Sequence, residues 1–257
     1  CPNLKYITVL ATGYNVVDIA YAKEKGIPVS NVPVYGTRSV SQFAIALLLE
    51  ACHHIGHHSD GVFRGEWENN QDWCYWDYPL IELAGMTYGL LGCGNIGIHT
   101  AEIAKALGMN VIGYDAFMTD AVREMLPPPV QVVDDLSELY PQCDYISIHV
   151  PANDATKGMM NAAAFAQMKD GVIFLNFARD KLMNDDDLLA ALASGKVAKY
   201  VTDFADDAVL NSDEPGIIVL PHLGASSAEA EDNCATMAVT QVMDYIENGN
   251  ILNSVNM

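Results

Sequence analysis

Positive charge is what this chain has least of. Thirteen Lys and Arg face 33 Asp and Glu over 257 residues, a formal net charge of −20. A polyanion gains no counterion release on meeting such a surface, which argues against nucleic acid and acidic membranes as partners. Long apolar runs are missing too: none approaches the ~18 residues of a membrane span, and no basic-then-apolar leader opens the chain. There is no C-x-x-C pair. Cys1, Cys52, Cys74, Cys93, Cys143 and Cys234 are scattered, the usage expected of reduced thiols in the cytoplasm rather than of a disulfide framework or a zinc site. No Met precedes Cys1-Pro2-Asn3-Leu4, so a fragment or processed product is expected. What remains, 51% hydrophobic and 18% charged residues, describes a core-forming globular chain that handles small molecules.

The most informative segment is Leu91-Gly92-Cys93-Gly94-Asn95-Ile96-Gly97. It lies where an apolar strand pattern, residues 87–91, gives way to a helical one, residues 95–107. In such a turn Gly92 permits the bend, Gly94 lets backbone approach a pyrophosphate, and Gly97 lets helix pack on strand. The N–H groups of the new helix, from Asn95 and Ile96 onward, then face the phosphates. A second strand candidate, residues 110–114, ends at Asp115, 18 residues after Gly97. An acid there accepts from ribose hydroxyls and repels a 2′-phosphate, which points to NAD rather than NADP.

Around this motif the pattern alternates. Strands are expected at 87–91, 110–114, 131–133, 145–150, 172–176, 200–203 and 217–220, separated by helical stretches, which predicts a doubly wound parallel sheet of the Rossmann type. Upstream, residues 5–10 and 27–32 read as strands around a helix closed by Gly26. Ser39 reads as the cap of one long helix running from Val40 to about His58. A final amphipathic helix spans 227–248 and stops at Gly249. Ligands of such sheets bind at the carboxyl ends of the strands, and three chemically capable residues stand there: Arg179, Asp203 and His222. An arginine grips a carboxylate with a planar, permanently charged fork. A histidine cycles as acid and base near neutral pH. Together they suit reduction of a 2-keto acid.

Other features carry less. Cys52-His53-His54-Ile55-Gly56-His57-His58 puts histidines four apart, a spacing zinc can use, but nothing nearby completes a ligand set, and no metal is expected. Trp67, Trp73, Tyr75, Trp76 and Tyr78 form an aromatic loop that suits an interface or a lid. Cys93 reads as a small filler in the glycine loop.

The glycine segment, Asn176-Phe177-Ala178-Arg179 and Pro221-His222-Leu223-Gly224, in this order, resemble the D-isomer-specific 2-hydroxyacid dehydrogenase family. Residues 10–15, 31–37 and 76–85 are most similar to its glycerate dehydrogenases (hydroxypyruvate reductases). Residues 200–204, 221–226 and 247–256 resemble its phosphoglycerate dehydrogenases. The resemblance implies NAD bound by Gly92, Gly94, Asn95, Ile96, Gly97, Asp115, Val150, Pro151, Phe177, Ala178, Asp203 and Gly224. It implies that Arg179 binds the substrate carboxylate, that His222 is the acid/base, and that Thr12 and Gly13 contact substrate. The family's acid beside the histidine has no clean match, and Asp207 is the candidate. Asp180 replaces a common glycine after the arginine.

Residues 1–35 and 225–257 would form the remnant of a smaller, N-terminally truncated flavodoxin-like substrate domain with an exposed apolar face. Residues 36–224 would form the NAD domain, and the long helix from Ser39 would build a homodimer. The expected activity is interconversion of glycerate and hydroxypyruvate. The alternatives are 3-phosphoglycerate oxidation in serine synthesis and a catalytically silent NAD-binding, corepressor-like protein.

Overall fold

The computed structural model describes residue 1 and residues 3–257. Contacts divide the chain into two units, Cys1–Ser39 with Gly224–Met257, and Val40–Leu223. The divisions expected from sequence fell after residues 35 and 224.

The larger unit holds a seven-stranded sheet. Its strands are β3 (Thr87–Leu91), β4 (Asn110–Tyr114), β5 (Gln131–Val132), β6 (Tyr145–Ile148), β7 (Val172–Asn176), β8 (Val197–Thr202) and β9 (Ile217–Val219). They run in the order β5-β4-β3-β6-β7-β8-β9, and every pair is parallel. The helices between them are α4 (Asn95–Ala106), α5 (Asp120–Met125), α6 (Leu136–Leu139), α7 (Ala162–Gln167), α8 (Asp185–Ala193) and α9 (Asp207–Leu210). This is the Rossmann-type arrangement, with the direction of winding reversing between β3 and β6. Strands β6 and β7 are buried at every position, as parallel strands covered on both faces must be. One core cluster gathers Leu139, Phe165, Phe174 and Tyr200, another Leu48, Tyr88, Leu90 and Tyr145.

The expected helix from Val40 to His58 is instead two, α2 (Thr37–His53) and α3 (Ile55–Phe63), with His54 between them in the left-handed region at φ 50°. Side chains remote in sequence explain the break. Lys199 donates its ammonium to the Ala51 carbonyl at the end of α2, while the Glu50 carboxylate accepts from Ile55 N at 3.0 Å and opens α3. The histidines therefore do not share one helical face. His57 pairs with Asp77 at 2.6 Å, and His58 accepts from Asp77 N. Ser39 lies inside α2 rather than capping it, and its hydroxyl donates to Gly224 O at 2.8 Å.

The smaller unit has two short parallel strands, β1 (Ile7–Thr8) and β2 (Val29–Ser30), a helix α1 (Ile19–Glu24) and the long α10 (Ala228–Asn248). Ser227 caps α10, and Gly249 closes it at φ 74°. The C-terminal residues return to β2. Asn256 is buried, accepts from Val29 N at 2.8 Å and donates to Ile27 O. Leu10, Val239 and Met243 of this unit are exposed and line a cavity of about 210 Å³.

Candidate active site

Each glycine after β3 has its own steric reason. Gly92 sits at φ 103°, and a Cβ there would meet the His149 carbonyl at 2.9 Å and Val150 Cγ1 at 3.0 Å. A Cβ on Gly97 would lie 2.1 Å from Gly92 O, so helix and turn touch backbone to backbone. Gly94 differs, because a Cβ there would meet nothing within 4 Å. Gly94 and Asn95 are exposed, and no side chain caps the start of α4. Open space in front of free helical N–H groups is the cradle a pyrophosphate needs.

Asp115 stands at the end of β4 and braces this cradle. Its Oδ2 accepts from Cys93 N at 2.8 Å and its Oδ1 from Phe117 N at 2.8 Å. Cys93 is buried, with its thiol pushed up to about 12 by desolvation and then by Asp115. It is inert packing, with Gly113 making room beside it. Beneath the loop, burial holds His149 neutral, its pKa pushed down to about 4, and the ring bonds Ser147 Oγ at 2.6 Å.

The carboxyl end of β7 delivers Arg179. Asn176, fully buried at the end of that strand, shapes the loop: its Oδ1 accepts from Ala178 N, and its Nδ2 donates to Arg179 O at 2.9 Å and to Tyr200 Oη. An asparagine at a strand end that forms such an Asx turn is the signal that marks Asn176 in the sequence. Arg179 Nη1 donates to Ala178 O at 2.6 Å. Phe177 is buried edge-on against Phe43, with ring centroids 5.5 Å apart.

Next along the sheet, β8 ends at Thr202 with Asp203 directly after it, and the chain beyond β9 presents His222. Asp203 Oδ2 lies 3.3 Å from His222 Nδ1, with the carboxylate side chain 1% exposed and the imidazole 61% exposed. A buried carboxylate thus orients an open imidazole and leaves Nε2 outward. His222 itself sits at φ 53°, a conformation that costs free energy in a non-glycine residue and that gathers at functional sites.

Asp207, the expected partner of His222, is instead the exposed first residue of α9. Asp206 caps that helix by accepting from Ala208 N and Val209 N, and this turn carries the chain on after Phe204 without returning Asp207 to the histidine. Asp203, expected among the NAD-binding residues, takes the pairing.

Val150 abuts the glycine loop, and Pro151 accepts from Thr156 Oγ1. Thr12, Gly13 and Gly224 belong to the smaller unit. There Thr12 Oγ1 donates to Val32 O, and Thr12 O accepts from Asn31 Nδ2. Among the described residues no group of three His, Cys, Asp or Glu could hold a metal ion.

The model of the D-isomer specific 2-hydroxyacid dehydrogenase NAD-binding domain matches residues 45–224. The chain belongs to that family. A hydroxypyruvate reductase of Blautia hydrogenotrophica is 47% identical over all of this chain and 80% of its own length. A D-3-phosphoglycerate dehydrogenase of Methanocaldococcus jannaschii is 34% identical over 99% of this chain but 48% of its own length. Among solved structures, a D-lactate dehydrogenase from Aquifex aeolicus, complexed with NAD and lactic acid, superimposes with a TM-score of 0.83 at 27% identity, covering all of this chain and 81% of that one. The chain is an NAD-dependent oxidoreductase acting on the CH–OH group of D-2-hydroxy acids.

Proposed function

We propose that this dehydrogenase interconverts hydroxypyruvate and D-glycerate, with Arg179, His222 and Asp203 carrying the chemistry. The observation that carries the site reading is the open imidazole of His222 set by a buried carboxylate, at the strand ends where Arg179 also stands. Bound NADH supplies the hydride for carbon 2 of the keto acid. Arg179 holds the substrate carboxylate through its planar fork. His222 gives a proton to the carbonyl oxygen during reduction and takes it back during oxidation. Asp203 fixes the tautomer with the Nδ1 proton toward itself and stabilises the imidazolium. Asp115 selects NAD by accepting from ribose hydroxyls; Gly92, Gly94, Asn95, Ile96 and Gly97 hold the pyrophosphate, and Val150, Pro151, Phe177, Ala178 and Gly224 complete the cofactor contacts. Thr12 and Gly13 supply further substrate contacts.

The 47% identical hydroxypyruvate reductase supports this substrate over 3-phosphoglycerate. So does charge, because a phosphate ester demands cations, and this chain has 13 Lys and Arg against 33 acids, with Asp180 directly after Arg179. Six unpaired cysteines suit a reducing cytoplasm, and among the described residues no helix is long and apolar enough to cross a membrane. We further propose a homodimer through the larger unit, where Phe63 and Trp73 are almost fully exposed.

NADH oxidation with hydroxypyruvate and 3-phosphohydroxypyruvate, side by side, tests the substrate. Faster turnover of the phosphorylated acid would reverse the assignment. Arg179→Lys should lower kcat/KM by ~10²-fold or more through loss of the bidentate fork, with NADH affinity unchanged. Asp203→Asn should lower kcat by a factor of ~10² or more, and full activity in either variant would remove that residue from the mechanism.

A further inference from the structure

We propose that Phe204 is a positioning residue for this reaction, its ring holding the Arg179 guanidinium and the His222 imidazole in working orientation without consuming a hydrogen-bond donor of either. The inference rests on the roles given above to Arg179 and His222. Arg179 Cζ lies over the Phe204 ring, 5.0 Å from its centroid. The His222 ring packs on the same side chain with centroids 4.1 Å apart and planes inclined by 55°. One half-buried phenyl group therefore touches both.

The chemistry explains why an aromatic ring suits this place. A substrate carboxylate must find the in-plane N–H groups of Arg179 free. A protein carboxylate at the same spot would occupy those donors and compete with substrate. The face of a phenyl ring attracts a guanidinium through its quadrupole and leaves the in-plane donors available. Of the five, Ala178 O takes one. The imidazole needs the same treatment, since Asp203 engages Nδ1 and Nε2 must stay open to the substrate oxygen. Ring-on-ring contact fixes the imidazole plane and uses neither nitrogen.

Phe204 is itself anchored. The fully buried Thr202 hydroxyl accepts from Phe204 N at 2.9 Å and can donate to Phe204 O at 2.9 Å or to Asn176 O at 2.8 Å. Through Asn176, whose side chain holds Arg179 O, that hydroxyl ties the end of β7 to the end of β8. The turn carrying the ring is thereby tied to the loop carrying the arginine.

The test compares two variants that keep apolar bulk without the ring, Phe204→Leu and Phe204→Met, with Phe204→Tyr, which keeps the ring. Steady-state kinetics with glyoxylate, pyruvate and hydroxypyruvate, NADH binding and Arg179→Lys as reference are run on the full chain. Both ring-less variants should raise KM for the best keto acid by ~10-fold as the carboxylate fork loses its seat, and lower kcat by a factor of about 3 to 10 as the imidazole does. NADH dissociation constants should stay within about twofold, and Phe204→Tyr should stay within about threefold of the parent in kcat/KM. Parent-like KM and kcat in either ring-less variant would overturn the proposal, as would equal losses in Phe204→Tyr. Harmless Phe204 variants beside a crippled Arg179→Lys would sink this inference alone. Undiminished turnover in Arg179→Lys would sink the site assignment beneath it.

Discussion

Asp185 and Asp206 meet as carboxyl and carboxylate where α8 and α9 begin. Desolvation, then the hydrogen bond to Asp206 and the charges of Asp206 and Asp180, push Asp185 up to about 7 from 3.8, while the same hydrogen bond lowers Asp206. The folded state therefore keeps a proton that the unfolded chain releases. The resulting stability is complete below pH ~4 and is lost as pH rises through ~7. Asp185→Asn retains a donor to Asp206 at every pH, so its melting temperature should match the parent's at pH 4 and exceed it by ~1–3 °C at pH 8. An equal difference at both pH values would disprove the shared proton. His149 works in the opposite sense: its pKa pushed down to about 4 means stability held above 6.5 and lost as pH falls, so the parent's own profile combines the two. At this scale the sequence pointed to Arg179 and His222 as members of the proposed site, because they sit in recognisable strand-end motifs. It hid Asp203 as the partner of His222 and Phe204 as their common neighbour. Those contacts depend on β7, β8 and β9 lying side by side in register, Asn176 opposite Thr202 and Thr202 opposite Val219, and no local pattern encodes that pairing.

Elements were most legible where burial leaves little choice. Strands β3, β4 and β7 coincide with their apolar runs residue for residue, since a strand covered on both faces admits few polar interruptions. The α2–α3 break was invisible, because hydrophobic periodicity continues through it and the groups that end α2 and open α3 include Lys199, from a strand nearly 150 residues away. The β3–α4 turn separates structure from function by a single test. Gly94 has φ −73° and open space in front of it, so Gly94→Ala should fold with a near-parental melting temperature while NADH affinity falls by ~10-fold or more, its methyl group standing where the pyrophosphate approaches. Gly97→Ala must push a methyl group against Gly92 O at 2.1 Å. It should lower stability by ~1–3 kcal/mol as well as affinity. Calorimetry and fluorescence titration of both variants would check this, and a Gly94→Ala protein that binds NADH like the parent would deny the pyrophosphate its assigned seat.

At the scale of the whole molecule, opposing forces act on self-association. A net charge of −20 repels a second copy, whereas the larger unit exposes Phe63 at 89%, Trp73 at 88% and Trp76 at 64%. The segment that carries them is held by its own contacts. Trp67 Nε1 donates to Trp73 O at 2.9 Å, Arg64 pairs with Glu66 at 2.7 Å, Tyr75 donates to Glu66, and Tyr78 stacks on His54 with centroids 4.2 Å apart. An ordered, apolar, exposed surface has a reason to be ordered, and burial against a copy supplies one. Light scattering should then give a mass near twice the 27.9 kDa of the chain, and Phe63→Asp should reduce it to the monomer value. Because the opposing repulsion is long-ranged and the Debye length shrinks from ~30 Å at 0.01 M salt to ~10 Å at 0.1 M, the dimer should tighten as salt is added. Weakening by salt would mean that ion pairs, not the aromatic surface, hold the copies together.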